Sequence, residues 1–252
     1  MSVKSLQVLK VGMPCEEDKD LMTFMKGMGA RVMSAFFSYL IKTDNGNILV
    51  DAGICPDDVI YFTRGKMKSW PEEYYLPNRL KECGVSIGDI STVIITHMHL
   101  DHIGWLPELK HAEIILQKDE YRFVTDPPVW TPYTESPVRF NLNGYKLKLV
   151  DGDMVLMPGI TLLFTPGHSA GHQSVMVDLP RTGTVIICGD AAFLEENLEK
   201  EYVPTCWFDT RQALLSIKKL KTWAQVRNAT VFPGHSEEYW QKKMKKSPEA
   251  YL

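Results

Sequence analysis

The chain has 252 residues, 44% of them hydrophobic, and a formal net charge of −3 at pH 7. That length and apolar content suffice for one sizeable α/β domain, which we expect to span residues 1–252, and the negative charge argues against nucleic acid as a partner. No stretch approaches the roughly 18 apolar residues of a membrane helix, and no apolar N-terminal segment suggests a signal peptide, so the sequence predicts a cytoplasmic protein with no membrane partner.

Short apolar runs of strand length recur along the chain, most of them rich in β-branched residues or leucine. The turn sequence Asp44-Asn45-Gly46-Asn47 separates two of these runs and predicts a hairpin, and residues 180–183 predict a second one. The predicted strands span residues 7–11, 36–43, 48–51, 92–96, 113–117, 146–150, 161–164, 174–178, 184–188 and 230–232.

Three segments have helical patterns, namely residues 75–83, 119–124 and 209–226. The last of them begins at Asp209, a favourable N-cap, and carries an apolar stripe that indicates core packing. Segments 57–75 and 126–139 show neither the strand-like nor the helical pattern of apolar residues, so we expect them to be irregular and to form pocket walls.

Residues 96–102 read Thr-His-Met-His-Leu-Asp-His, which puts three imidazoles and a carboxylate into one short turn. Grouping these side chains without a metal would leave costly polar groups together, so the H-x-H-x-D-H pattern predicts a metal site. His97 and His99 are two apart in extended chain and point to the same side, whereas Asp101 and His102 diverge toward a second position. One motif can therefore serve two metals.

Three further candidates, His168, Asp190 and His235, stand where other strand-like runs end. A glycine precedes each of them and permits a tight turn that aims the side chain inward. Because ligands bind just beyond the carboxyl ends of strands in α/β sheets, we expect all these side chains to meet at one edge.

In this order and spacing, H-x-H-x-D-H, Pro-Gly-His168, Gly-Asp190 and Pro-Gly-His235 resemble the metallo-β-lactamase fold superfamily over most of the chain. Within it, residues 165–174 and the run from Asp190 to Phe193 make the chain similar to the N-acyl-homoserine lactonase group. The resemblance implies an α/β fold of the αββα sandwich type, with two mixed sheets flanked by helices. It also implies a site for two divalent metal ions, usually Zn²⁺.

The resemblance also implies a function, namely that of a hydrolase that opens N-acyl-homoserine lactones and thereby quenches quorum signals. The implied partner is the substrate, a small lactone. A hydroxide bridging the metals would attack the carbonyl, and Asp101 would act as the catalytic proton shuttle to the leaving oxygen. The implied metal ligands are His97, His99 and His168 for one ion, Asp101, His102 and His235 for the other, and Asp190 as the bridge.

Two positions depart from the lactonase pattern. Phe193 stands where lactonases usually carry a tyrosine whose hydroxyl can bind the substrate, and Ser236 stands where an aspartate is common. Losing one such donor would cost about 2.7–4 kcal/mol of transition-state stabilisation, judging from oxyanion donors generally. Either another hydroxyl, from Tyr39, Tyr133 or Tyr202, replaces it, or the substrate differs.

Four aromatic residues are candidates to line an apolar acyl pocket, although aromatics at this density are equally often core. His172, four residues after His168, is a candidate for a supporting group or for simple packing. The pocket candidates are Phe36, Trp105, Phe193 and Trp207.

Other hydrolases share this ligand set, so the alternative is a different ester, thioester or lactone as substrate, as in glyoxalase-II-like enzymes. Zinc-dependent β-lactamases typically have a cysteine where this chain has Asp190, and flavodiiron proteins have a glutamate in place of His99, which argues against both. A nuclease would want a basic groove, which the net charge disfavours. A non-catalytic binding protein is the remaining possibility.

Overall fold

The computed structural model describes residues 2–63, 65, 67–127, 141–205 and 208–252. Its first sheet has six strands in the order β1-β2-β3-β4-β5-β6; the first three pair antiparallel, and β3 to β6 pair parallel. The strands are β1 (Val3–Asp18), β2 (Arg31–Thr43), β3 (Gly46–Val50), β4 (Ile90–Ile94), β5 (Glu113–Gln117) and β6 (Lys146–Val150).

The second sheet has five strands in the order β11-β10-β9-β8-β7. All neighbours pair antiparallel except β10 and β11, which run parallel, so that both sheets are mixed. The strands are β7 (Met154–Met157), β8 (Ile160–Phe164), β9 (Gln173–Leu179), β10 (Gly183–Ile187) and β11 (Thr230–Phe232).

Eight α-helices connect these strands within the described residues, together with short 3₁₀ turns. The long helix begins as expected, because the Asp209 side chain accepts a hydrogen bond from the Gln212 N–H. The helices are α1 (Lys19–Met22), α2 (Pro56–Phe62), α3 (Leu76–Glu82), α4 (Leu100–Ile103), α5 (Lys118–Thr125), α6 (Glu195–Lys200), α7 (Thr210–Arg227) and α8 (Glu237–Lys243).

The core forms three layers that confirm the predicted αββα sandwich. Ile94 and Ile115 of the first sheet and Val175 and Ile187 of the second belong to one apolar cluster between the sheets. Outside the first sheet, side chains of β4 and β5 pack with those of α2 and α3, and outside the second sheet β9 and β10 pack with α7. Among the described residues, no helix combines the length and apolarity that a membrane crossing requires.

Several predicted elements match closely, and others were missed. The predictions for β5, β6 and β11 agree with the observed bounds, and the predicted turn at Asp44 closes the hairpin that pairs Thr43 with Gly46. The prediction of irregular structure over residues 57–75 is wrong at its start, where α2 lies. Pro56 opens that helix and Asp57 and Asp58 follow in its first turn, a pattern that favours a helix start.

The missed elements are short. β7 has four residues that are only partly buried, and α1, α4, α6 and α8 have between four and seven residues each. A helix of two turns or fewer is too short to show the periodic pattern of apolar residues by which helices are predicted, so the sequence gives no signal for these elements. Nearly all of the segment 126–139, also expected to be irregular, lies outside the described residues.

Candidate metal centre

The predicted metal ligands lie at one edge of the sandwich, where four strands end. β4 leads into the turn that carries His97 and His99 and then into α4, which carries Asp101 and His102. His168, Asp190 and His235 follow β8, β10 and β11 of the other sheet, so that the site joins the two sheets. All seven predicted side chains are brought together here.

The first donor group consists of His97, His99 and His168 together with Asp190, and its donor atoms all lie within 4.8 Å of one another. His99 Nδ1 lies 2.8 Å from His97 Nε2 and 2.8 Å from His168 Nε2. Asp190 faces this group with Oδ2, at 3.1 Å from His168 Nε2 and 3.5 Å from His97 Nε2.

The second donor group consists of Asp101, His102 and His235, with the same spread of donor atoms. Asp190 faces this group with its other oxygen, Oδ1, at 3.0 Å from His235 Nε2 and 3.3 Å from His102 Nε2. Asp101 Oδ2 lies 3.4 Å from His102 Nε2. Asp190 therefore presents one oxygen to each group, as a bridging carboxylate would.

Hydrogen bonds behind the imidazoles fix which nitrogen faces the site. His102 donates from Nδ1 to Asp51 at 2.8 Å, His168 to the Thr205 carbonyl at 3.0 Å, and His235 to the Ala35 carbonyl at 2.8 Å. Each of these bonds leaves Nε2 pointing toward Asp190. Metal-binding histidines are oriented in this way in proteins generally.

The arrangement fits a pair of divalent metal ions. His99 Nδ1 carries either one proton or one lone pair, so it cannot satisfy two imidazole nitrogens at 2.8 Å by hydrogen bonding alone. His102 Nε2 is buried between the carboxylate oxygens of Asp190 and Asp101, at 3.3 and 3.4 Å. Converging imidazole lone pairs and carboxylate oxygens are the donors that zinc and similar metals prefer.

The two donor groups differ in electrostatics. Burial, and then the neighbouring imidazoles, lower the pKa of His97 and of His99 well below its ordinary value. Burial also lowers the pKa of His102, but the carboxylates of Asp101 and Asp190 outweigh it and raise that pKa well above its ordinary value. For Asp190, burial raises the pKa and the surrounding imidazoles lower it by more, so that the pKa falls well below its ordinary value.

Asp51 supports this centre and was missed by sequence reasoning. Its buried carboxylate accepts from the Thr96 N–H and hydroxyl and from His102 Nδ1, each at 2.8 Å. The Thr96 hydroxyl, whose proton goes to Asp51, can then accept from His97 Nδ1 at 3.1 Å. Asp51 also adopts φ +59, an uncommon conformation that aspartate tolerates better than most residues.

His172, left open by the sequence, is a supporting residue. It donates from Nδ1 to the Thr165 carbonyl at 3.1 Å and accepts at Nε2 from the Asp190 N–H at 2.9 Å. Burial, and then the nearby His168, lower its pKa to about 3. A neutral His172 thus holds the backbone of Asp190.

The glycines that precede His168 and His235 lie so close to neighbouring residues that no Cβ would fit there. A Cβ on Gly167, at φ +133, would lie 2.1 Å from the Ala213 N at the start of α7. A Cβ on Gly234 would lie 2.4 Å from the Gly189 carbonyl oxygen. The predicted need for glycine before His168 and His235 therefore has a steric cause.

The aromatic pocket candidates occupy different places. Phe193 is 8% exposed and stands edge-on to His235 and His168, at ring distances of 4.9 and 5.6 Å. Phe36 contacts His235 at 5.4 Å but is 2% exposed, so it is core. Trp105 is half-buried against Tyr75, and its Nε1 donates to the Ile54 carbonyl. Trp207 lies outside the described residues.

Comparison with known proteins identifies the family. The model of the metallo-beta-lactamase superfamily matches residues 37–235. The chain belongs to this superfamily. Its homologues are N-acyl homoserine lactonases: the chain is 33% identical to that of Bacillus cereus over 94% of its own length and 95% of the relative's, and 29% identical to AttM of Rhizobium radiobacter over 84% and 86%.

Solved structures of the superfamily agree with the fold over the whole chain. An N-acyl homoserine lactone hydrolase with the product N-hexanoyl-L-homoserine bound at its catalytic metal centre superposes with a TM-score of 0.86, at 30% identity and 100% coverage of both chains. AidC, a dizinc quorum-quenching lactonase, shares the fold with a TM-score of 0.70 at 19% identity, covering 99% of this chain and 96% of its own.

Proposed function

We propose that this chain is a dinuclear metal hydrolase that opens a lactone ring, with N-acyl-homoserine lactones as its substrates and quorum quenching as the outcome. The observation that carries the proposal is the pair of donor groups sharing the two oxygens of Asp190. The homologous lactonases, alike over nearly the full chain, support the substrate class. The in vivo metal that we propose is zinc, with two ions per chain.

Divalent ions held by these residues would lower the pKa of a bound water toward neutrality and would polarise a carbonyl. The chain's own part is to hold the two donor groups at a fixed spacing, which Asp190 does with one oxygen for each. The seven proposed ligands are all well buried apart from His99, which is half-buried. This limits the water that competes with a bound lactone.

Asp101 is the proposed proton shuttle. Its carboxylate is 8% exposed and lies between His102, at 3.4 Å, and His235, at 3.7 Å. Burial raises the pKa of Asp101, but these two imidazoles outweigh it and leave the pKa below its ordinary value. Asp101 therefore starts as an acceptor; it takes a proton from the attacking water and returns it to the ring oxygen that leaves as an alcohol.

Phe193 favours a second candidate, hydrolysis of another ester or thioester on the same site. Its ring contacts one histidine of each donor group but offers no hydroxyl to a substrate oxygen. Tyr39 is buried and stacks on Phe232, and the Tyr202 ring lies beneath Lys26. Tyr133 lies outside the described residues.

Hydrolysis of a substrate panel by the zinc-loaded protein tests the proposal. The panel holds short- and long-chain N-acyl-homoserine lactones, a simple γ-lactone and S-lactoylglutathione. We expect turnover of the acyl lactones that a chelator abolishes and added zinc restores. Turnover of the thioester alone would favour the second candidate, and silence across the panel would contradict both. The cytoplasmic location and the single domain over residues 1–252 stay predictions.

A further inference from the structure

A buried carboxylate outside the proposed ligands joins two of the ligand turns. Glu120 lies in α5 and is 0% exposed. Its Oε1 accepts from the Met98 N–H at 2.9 Å, and its Oε2 accepts from the Ser169 hydroxyl at 2.7 Å and from the Gly171 N–H at 2.9 Å. One side chain therefore links the turn after β4 to the turn after β8.

Two of the donors to Glu120 adjoin ligands of the first donor group. Met98 stands between His97 and His99, and Ser169 directly follows His168. These are the three histidines of the first donor group. The second donor group has a different supporting carboxylate, Asp51, which accepts from His102 Nδ1.

The backbone of α5 is also in direct contact with the second of these turns. A Cβ on Gly171 would lie 2.1 Å from the Glu120 N and 2.5 Å from the Glu120 Cβ. Any side chain at this position would push α5 away from the turn. Glycine thus lets the Glu120 carboxylate reach the donors on both turns at once.

We propose that Glu120 is a positioning residue that sets the affinity of the first donor group for its divalent metal ion. The inference rests on the proposed metal site. Glu120 touches neither the metal nor the substrate; it fixes the spacing of His97 and His99 relative to His168. Loss of this link weakens the first donor group and leaves the second as it was.

Substituting Glu120 with glutamine removes the negative charge and one acceptor oxygen but keeps the size and shape of the side chain. Its amide has one acceptor oxygen and one NH₂ donor in place of two acceptors. Met98 N–H and Gly171 N–H approach opposite oxygens of the carboxylate, so either orientation of the amide turns its NH₂ toward a backbone N–H. The link between the turns is therefore broken with almost no change in volume.

The experiment measures zinc retention by the full-length protein dialysed against graded concentrations of a chelator, with anomalous diffraction locating the ions that remain. We expect Glu120→Gln to weaken zinc binding at the first donor group by about 10-fold, the lower end of the roughly 10–100-fold effect of removing a direct partner of a ligand, because Glu120 bonds residues of the ligand turns and not the ligands themselves. The second donor group should keep its zinc. Asp119→Asn is the matched control, since Asp119 precedes Glu120 on α5, is half exposed and pairs with Arg122.

Ser169→Ala gives an independent test should Glu120→Gln fail to fold. It removes one of the bonds named above and leaves the carboxylate in place, so it should weaken the same donor group by less. Unchanged zinc binding in Glu120→Gln, or equal weakening of both donor groups, would overturn the positioning role. If the unmodified chain retains no zinc, or retains it without hydrolysing any panel substrate, the proposed function fails instead.

Discussion

Asp51→Asn tests whether the carboxylate behind His102 sets the metal-binding form of that imidazole. Asparagine keeps the shape of the side chain and tolerates the φ of +59 found at this position. Three donors converge on Asp51, namely the Thr96 N–H, the Thr96 hydroxyl and His102 Nδ1, all at 2.8 Å. An amide has only one acceptor oxygen, so at least one donor must face its NH₂.

If the NH₂ faces His102, the imidazole proton must move from Nδ1 to Nε2, the atom that points at Asp190. A protonated Nε2 cannot bind a metal. If the amide is turned the other way, its NH₂ faces the Thr96 N–H and strains the turn that carries His97. Losing a supporting bond of this kind typically reduces metal affinity about 10–100-fold, which corresponds to about 1.4–2.7 kcal/mol.

Competition with a chromophoric chelator measures the zinc affinity of each site, and lactone turnover at saturating zinc measures what remains of catalysis. We expect one donor group to be weakened, the second if the amide NH₂ faces His102 and the first if it faces the Thr96 N–H, with partial recovery of turnover as zinc is raised. Asp57→Asn, an exposed carboxylate on nearby α2, is the control. Full zinc affinity at both donor groups of a folded Asp51→Asn protein would refute the reasoning.

Three other predictions follow from the site. Asp101→Asn should lower lactone kcat by about 10²–10⁴-fold, since it removes the proposed proton shuttle; near-normal kcat would remove Asp101 from the mechanism. Phe193→Tyr should raise lactone kcat, by up to about 10²-fold if the new hydroxyl reaches the substrate oxygen, and an unchanged or lower rate would mean that another donor serves. The pKa of His172 is about 3 in the folded chain and about 6.5 in the unfolded chain. Between these two pH values the unfolded chain binds a proton that the folded chain does not bind. The free energy of unfolding therefore falls as the pH is lowered below about 6.5. His172→Gln removes this contribution. From about pH 6 to about pH 5, the free energy of unfolding measured with urea should fall by about 1 kcal/mol less in His172→Gln than in the unmodified chain. Equal falls in the two proteins would contradict the prediction.

The convergence of the proposed ligands at one edge of the sandwich was predictable because their signal is local. Each of them follows an apolar strand-like run, and the H-x-H-x-D-H turn places four donors within six residues. Strand ends gather at one edge of a sheet, so position along the chain translates into position in space. The same local logic located β5, β6 and the N-cap of α7.

The supporting carboxylates were not predictable, because their partners are distant in sequence. Asp51 is 51 residues from His102, and Glu120 is 49 residues from Ser169. Nothing in the residues around either carboxylate marks it as buried; Glu120 sits in a short helix next to the exposed Asp119. Only the packing of α5 against the turn after β8 gives it a role.

The carboxylates proposed to support the two donor groups, Glu120 and Asp51, come from different parts of the fold. Their positions suggest how metal binding would be coupled to the stability of the folded chain. Glu120 links the turn after β4 to the turn after β8, whereas Asp51 binds the turn after β4 to His102 behind the second donor group. Both donor groups draw on the turn after β4 in the first sheet and on strand ends of the second. Because each brings imidazoles and carboxylates into a buried space, metal binding at the proposed site would offset a cost that the folded chain otherwise carries. The free energy of metal binding would then also hold the two sheets together at this edge, and the proposed supporting carboxylates would act on that coupling through the turns that carry the ligands.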